Sequence, residues 1–182
     1  MRVAVFCGSG RRISEKHRLL ARDLGAEIAR RGHTLVYGGC RTGSMGALAD
    51  GALEQGGRVI GVILQRFVDE DAHHRGLDEL RSVEELHERK TGLTEGTDAF
   101  LVLPGGIGTL EELIDVLSLR KIGEHAKPVV LLDIDDFYSG LRTQLEQGVA
   151  EDFDRPTVLG YFRVAKDPVG ALSEIEAARN SS

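Results

Sequence analysis

Short apolar runs, each closed by glycine or proline, recur along the chain. Val3 to Phe6, Thr34 to Tyr37, Val59 to Leu64, Ala99 to Leu103 and Val129 to Ile134 carry apolar residues without alternation. That pattern suits strands covered on both faces, as in a parallel sheet. Between these runs the apolar spacing changes to three and four. Leu20, Leu24 and Ile28 follow Ser14; Met45, Leu48, Ala49 and Leu53 follow Ser44; Leu110, Leu113, Ile114 and Leu117 follow Thr109. Phe137, Leu141 and Leu145 continue the same rule. These stripes predict helices, with Ser14 and Ser44 as caps and Gly32 and Gly56-Gly57 as stops. Strand–helix alternation of this kind predicts an α/β fold, a doubly wound parallel sheet flanked by helices with right-handed crossovers.

The pattern lapses from Gln65 to Leu80, where Asp69, Glu70, Asp71, His73, His74 and Arg75 make a polar connection. A short strand is expected at Leu80 to Val83 and a helix from Glu84 to about Gly96. Tyr161 to Val164 reads as a last strand and Pro168 to about Arg179 as a last helix. Residues 179–182 are expected to fray. With no internal repeat and no dividing linker, residues 1–182 read as one nucleotide-binding domain.

The run at Ala99 to Leu103 leads into the most informative stretch, Pro104-Gly105-Gly106-Ile107-Gly108-Thr109-Leu110-Glu111-Glu112. Pro104 has no N–H for a ladder, so the strand stops there. The glycines let backbone N–H groups approach a ligand, and a helix opening at Thr109 favours an anion such as phosphate. Glu112 then stands at the rim with a carboxylate for chemistry. The same residues also match T-x-x-E, a capping box in which Glu112 closes back on Thr109. Two further glycine loops, Gly8-Ser9-Gly10 and Gly38-Gly39 to Gly43, also follow strands, and all three point to one crevice at the carboxyl edge of the sheet. Arg89 lies between Leu86 and Leu93 on an apolar helical stripe. A charge there needs an anionic partner, or reaches solvent, or pairs with Glu85 across one turn.

Composition narrows the use of this crevice. The net charge is 23 − 29 = −6, which speaks against non-specific nucleic-acid binding. Two cysteines, Cys7 and Cys40, make no zinc or disulfide framework and fit a reducing cytoplasm. Met1 to Phe6 is too short for a signal peptide, and no apolar run approaches the roughly 20 residues of a membrane helix. A dinucleotide fingerprint fails twice: Gly8-Ser9-Gly10-Arg11-Arg12-Ile13 lacks its third glycine, and no acid closes Val36-Tyr37-Gly38. There is no G-x-x-x-x-G-K-[ST] motif. His73-His74 has no third ligand at metal spacing.

Phe6-Cys7-Gly8-Ser9, Tyr37-Gly38-Gly39 with Gly43-Ser44-Met45-Gly46, His87-Glu88-Arg89-Lys90, and Pro104 through Glu112 together resemble the LONELY GUY family, from Arg2 to about Tyr138. Members of that family are cytokinin-activating phosphoribohydrolases, often labelled lysine decarboxylases. The resemblance implies a Rossmann-like fold, a homodimer, and hydrolysis of an N6-substituted adenosine 5′-monophosphate to free base and ribose 5-phosphate. It implies Arg89 and Glu112 as catalytic residues. It implies substrate contacts at Gly8, Ser9, Gly39, Gly43, Met45, Gly46, Asp71, Lys90, Gly105, Gly106, Gly108 and Thr109. It calls for no metal or other cofactor. The chain departs from the usual family pattern at Cys40, Ser44, Leu64, Asp71, Leu86, Thr91-Gly92-Leu93 and Ser118-Leu119-Arg120-Lys121. These positions leave Arg89 and Glu112 intact and bear on the base. A paralogue acting on another purine or pyrimidine monophosphate, and a non-catalytic nucleotide sensor, stand as alternatives.

Overall fold

The structure, a computed structural model, describes residues 1–180. Seven strands form one sheet: β1 (Arg2–Phe6), β2 (Thr34–Tyr37), β3 (Val59–Leu64), β4 (Glu79–Val83), β5 (Ala99–Val102), β6 (Val129–Leu132) and β7 (Arg163–Ala165). Every pairing is parallel, in the order β4-β3-β2-β1-β5-β6-β7. The helices are α1 (Glu15–Arg30), α2 (Gly43–Glu54), α3 (Gln65–Asp69), α4 (Leu86–Thr94), α5 (Ile107–Lys121), α6 (Ser139–Ala150) and α7 (Pro168–Asn180). The doubly wound parallel sheet expected from the apolar runs is the fold observed.

Successive strand residues point to opposite faces, and in β3, β5 and β6 both faces are covered, so every residue of these strands is buried. On one face Val3, Val5 and Cys7 pack with Leu24 and Ile28 of α1, Leu48 of α2 and Ile175 of α7. On the other, Ala4, Phe6 and Phe100 pack with Leu93 of α4 and Leu113 and Val116 of α5. Helices α1 and α2 touch backbone to backbone: a Cβ at Gly25 would stand 2.0 Å from the Leu48 carbonyl oxygen. The chain winds outward from β1 to β4, then crosses back to place β5 on the other side of β1. The loops that leave β1 and β5 therefore diverge, and a crevice opens between them at the carboxyl edge.

Several elements differ from the sequence expectation. Helix α1 has Ser14 at its N-cap, but the side chain makes no capping bond. Helix α2 begins at Gly43 after Thr42, and Ser44 is buried in its first turn instead of capping it. Thr42 donates its hydroxyl to the Ser9 carbonyl at 2.7 Å, which ties the first two glycine loops together. Edge strand β4 alternates partly buried and exposed residues, so its pattern was weak in the sequence. Strand β6 stops at Leu132, where a 3-10 turn at Ile134–Asp136 begins with Asp135 and Asp136 in left-handed backbone. Helix α6 starts at Ser139 and buries none of its residues. Helix α7 includes Arg179 and Asn180, which were expected to fray; Ser181 and Ser182 lie outside the described residues. Among the described residues no helix is long and apolar enough to cross a membrane.

Candidate active site

Helix α5 opens three residues earlier than the T-x-x-E signature implies. Gly106 is its N-cap, Ile107 its first residue, and no side chain caps that end. Thr109 is thus buried within the first turn, and Glu112 lies in the second. One face of the helix, Glu112, Leu113, Val116 and Leu117, is buried. This geometry corrects the capping-box reading, because Glu112 does not close on Thr109. Its Oε1 accepts a hydrogen bond from Arg89 Nη1 at 2.7 Å. A capping box does form, at α4: the Glu88 carboxylate accepts the N–H of Glu85 at 3.0 Å and of Glu84 at 3.2 Å.

Arg89 enters the site from the middle of α4. Of the expected stripe, only Leu93 is buried, and Leu86 is half exposed. The stripe is therefore not a core face, and Arg89 neither snorkels nor pairs with Glu85. Its side chain is 12% exposed and that of Glu112 6%, so this is a buried ion pair. Removing one partner of such a pair typically costs about 3–5 kcal/mol. Burial pushes the Glu112 carboxyl above its ordinary range, and the Arg89 guanidinium opposes that rise by charge and hydrogen bond. Room for the guanidinium comes from Gly38, just past β2. A Cβ there would stand 2.6 Å from Arg89 Nη2 and 2.7 Å from Met45 Cε. Gly38 was read in the sequence as part of the second glycine loop, and not as a substrate contact.

The pair faces a cavity of about 950 Å³. The loop after β1 supplies Gly8 and Ser9, α2 supplies Met45, and the start of α5 supplies Gly106, Gly108 and Thr109. All were expected at the site, and all line it together with Arg89 and Glu112. The first-turn N–H groups of α5 have no intrahelical acceptor, and a Cβ at Gly106 or Gly108 would meet nothing within 4 Å. An anion can approach that end closely. The far flank is mostly apolar, with Leu64, Phe67 and Leu86 beside Arg66 and Glu70. Leu64 and Leu86 are two of the departures expected to bear on the base; Arg66, Phe67 and Glu70 were not anticipated. All five come from the polar connection and two element ends, where no local motif marks a wall.

Six expected contacts do not line the cavity. Gly39, Gly43 and Gly46 pack against Ile63, Ser9 with Gly10, and Arg41 respectively, and Gly105 packs on Thr109. These glycines shape the loops from behind. Asp71 is exposed, with left-handed backbone, and pairs with Arg75 at 2.8 Å and Arg41 at 3.5 Å. Lys90 is turned about 100° from Arg89 around α4, as adjacent helical residues must be. It reaches Asp115 at 2.9 Å and Glu111 at 3.0 Å on α5. Among the described residues no group of three or more His, Cys, Asp or Glu is arranged to hold a metal ion.

Comparison with known proteins agrees with this architecture. Residues 45–175 match the model of a family described as possible lysine decarboxylase. The chain belongs to this family, in its LONELY GUY form. It is 44% identical over 177 residues to a cytokinin riboside 5′-monophosphate phosphoribohydrolase from Rhodococcoides fascians, covering 96% of this chain and 89% of that one. It is 37% identical over 176 residues to an Arabidopsis thaliana protein of the same name, covering 97% and 77%. In fold it is similar to a molybdenum cofactor carrier protein from Chlamydomonas reinhardtii, at 23% identity, a TM-score of 0.75 and 98% coverage of both chains.

Proposed function

We propose that the chain is a hydrolase that cleaves the N-glycosidic bond of a nucleoside 5′-monophosphate, AMP or an N6-substituted AMP. The products are the free base and ribose 5-phosphate. The observation that carries this reading is the buried Arg89–Glu112 pair at the wall of a cavity that also receives an uncapped helix N-terminus. The α5 N-terminus takes the 5′-phosphate. Glu112 faces C1′ of the ribose, where positive charge builds as the bond to the base breaks. Its carboxylate stabilises that charge and takes a proton from the attacking water; that proton passes to the departing base, which leaves the carboxylate ionised again. Arg89 holds the carboxylate in its ionised form and in one orientation. The apolar flank at Leu64, Phe67 and Leu86 accommodates the base and a substituent on it. Hydrolysis changes no oxidation state, and no step in it calls for a redox cofactor.

The relatives' names support this substrate class. Incubation of the pure protein with a panel of nucleoside monophosphates, including AMP, N6-isopentenyl-AMP and a pyrimidine monophosphate, should release base from at least one purine member. Release from the pyrimidine alone would favour the divergent paralogue. Binding without release from any member would leave a sensor and overturn the hydrolase. The working form we propose is a cytoplasmic homodimer. Ile107, Ile114 and Ile122 are spaced for one stripe along α5 and its C-cap, and are 85%, 41% and 70% exposed.

A further inference from the structure

The start of the phosphate loop is held from a distance. The β5–β6 ladder ends at Val102 paired with Leu131, one residue before the loop. Leu103 still donates its N–H to the Phe6 carbonyl at 3.0 Å. Its own carbonyl is buried beyond the ladder, and the next residue is a proline. The acceptor is satisfied by the Tyr138 hydroxyl, which donates to it at 2.6 Å. Tyr138 is 2% exposed and lies just before α6. Its backbone N–H is in turn accepted by Asp133 Oδ1 at 2.9 Å, and Asp133 is fully buried at the end of β6. Asp133 donates its own N–H to Ala165 of β7 at 2.9 Å. Phe137 packs edge-on against the Tyr138 ring, with centroids 5.1 Å apart. A chain of contacts thus runs from β7 through Asp133 and Tyr138 to the peptide that precedes Pro104.

We propose that Tyr138, set in place by Asp133, is a positioning residue that aims the Gly105–Thr109 loop at the substrate phosphate. The inference rests on the phosphate site proposed above. Tyr138 does not line the cavity, so it acts only through the Leu103–Pro104 peptide. Without the phenol the Leu103 carbonyl is a buried acceptor with no donor, a costly state that the peptide relieves by rotating. Rotation there re-aims the backbone of Gly105 and Gly106, and small displacements of donors weaken anion binding steeply. Burial also pushes the phenol far above its ordinary range, so it remains a neutral donor throughout the working pH.

The test is calorimetric titration of ribose 5-phosphate, and separately of adenine, into the full chain and three variants. Tyr138→Phe keeps the ring and removes only the hydroxyl. It should weaken ribose 5-phosphate about tenfold and leave adenine within about twofold. Asp133→Ala should do the same, and Asp133→Asn, whose amide oxygen still accepts the Tyr138 N–H, should stay near the unaltered protein. Ribose 5-phosphate affinity within twofold in Tyr138→Phe overturns the proposal. Equal weakening of both ligands does so too, since it marks general disturbance. If circular dichroism shows that Tyr138→Phe does not fold, the two Asp133 variants decide by the same criteria. Failure of the unaltered protein to bind ribose 5-phosphate overturns the phosphate site and this inference with it. Binding by the unaltered protein with no selective loss in the variants overturns this inference alone.

Discussion

At the scale of single residues, the proposed chemistry rests on the Arg89–Glu112 pair. Both side chains are buried, and burial outweighs Arg89 in setting the Glu112 carboxyl. Glu112→Gln keeps the shape and removes the charge, so base release should fall by about 10²- to 10⁴-fold while circular dichroism stays native. Acid dependence follows from the same environment. Burial raises the Glu112 carboxyl, and in the proposed mechanism the ionised form is the working one. The acidic limb of kcat/KM should therefore lie above the usual glutamate value of 4.5, with activity lost as pH falls through it. Arg89→Gln removes the group that opposes the rise, so whatever activity remains should show a limb moved further up. A limb at or below 4.5 in the unaltered protein would count against the assigned role. Arg89 and Glu112 were both legible in the sequence as residues out of place, one in an apolar stripe and one behind a glycine loop. That they bond to each other was not legible, because 23 residues of chain separate them.

Among the elements, α4 and α5 divide the work unequally. Helix α5 is long and anchored by a buried face. Helix α4 has nine residues and a single buried one, Leu93. A helix that short is marginal without help from its ends. The Glu85–Glu88 capping box supplies that help, and the helix carries Arg89. Glu88→Ala should lower stability by about 1 kcal/mol in chemical denaturation. It should also raise KM, because fraying at α4 loosens the guanidinium that faces Glu112. Unchanged KM with lowered stability would separate the cap from the site. The sequence placed the capping box on α5 because T-x-x-E is written the same way whether or not a helix begins at its threonine. In the structure α5 begins at Ile107, which places Thr109 inside the first turn and Glu112 in the second, where it meets Arg89.

The whole molecule is organised by the reversal of winding between β1 and β5. That reversal brings the loop after the first strand and the loop after the fifth to the same crevice. Both loops were readable as glycine punctuation, and their shared position followed from a parallel sheet. The far wall of the cavity was readable only in part, through Leu64 and Leu86. It is built from α3, the end of β3 and the start of α4, which meet there only because β4 pairs at the sheet edge beside β3. The apolar stripe of Ile107, Ile114 and Ile122 belongs to this scale too. Light scattering should report twice the 19.8 kDa chain mass, and Ile114→Lys should shift it toward the monomer. A monomer in the unaltered protein would leave that stripe unexplained by self-association.

The sequence by itself determined the sheet, its parallel sense, the order of strands and helices, and the loops able to receive a phosphate. Those properties rest on local spacing, which decides whether a side chain points to one face, to both, or along a helical stripe. Only the tertiary structure decided which stripe meets which. It turned Lys90 toward α5 and Arg89 into the cavity, let Gly38 make room for a guanidinium, and gave the Leu103 carbonyl its donor from Tyr138. Each of these is a contact between residues far apart in the chain. Its partner is set by the packing of the two sheet faces, and no spacing rule within one element contains that information.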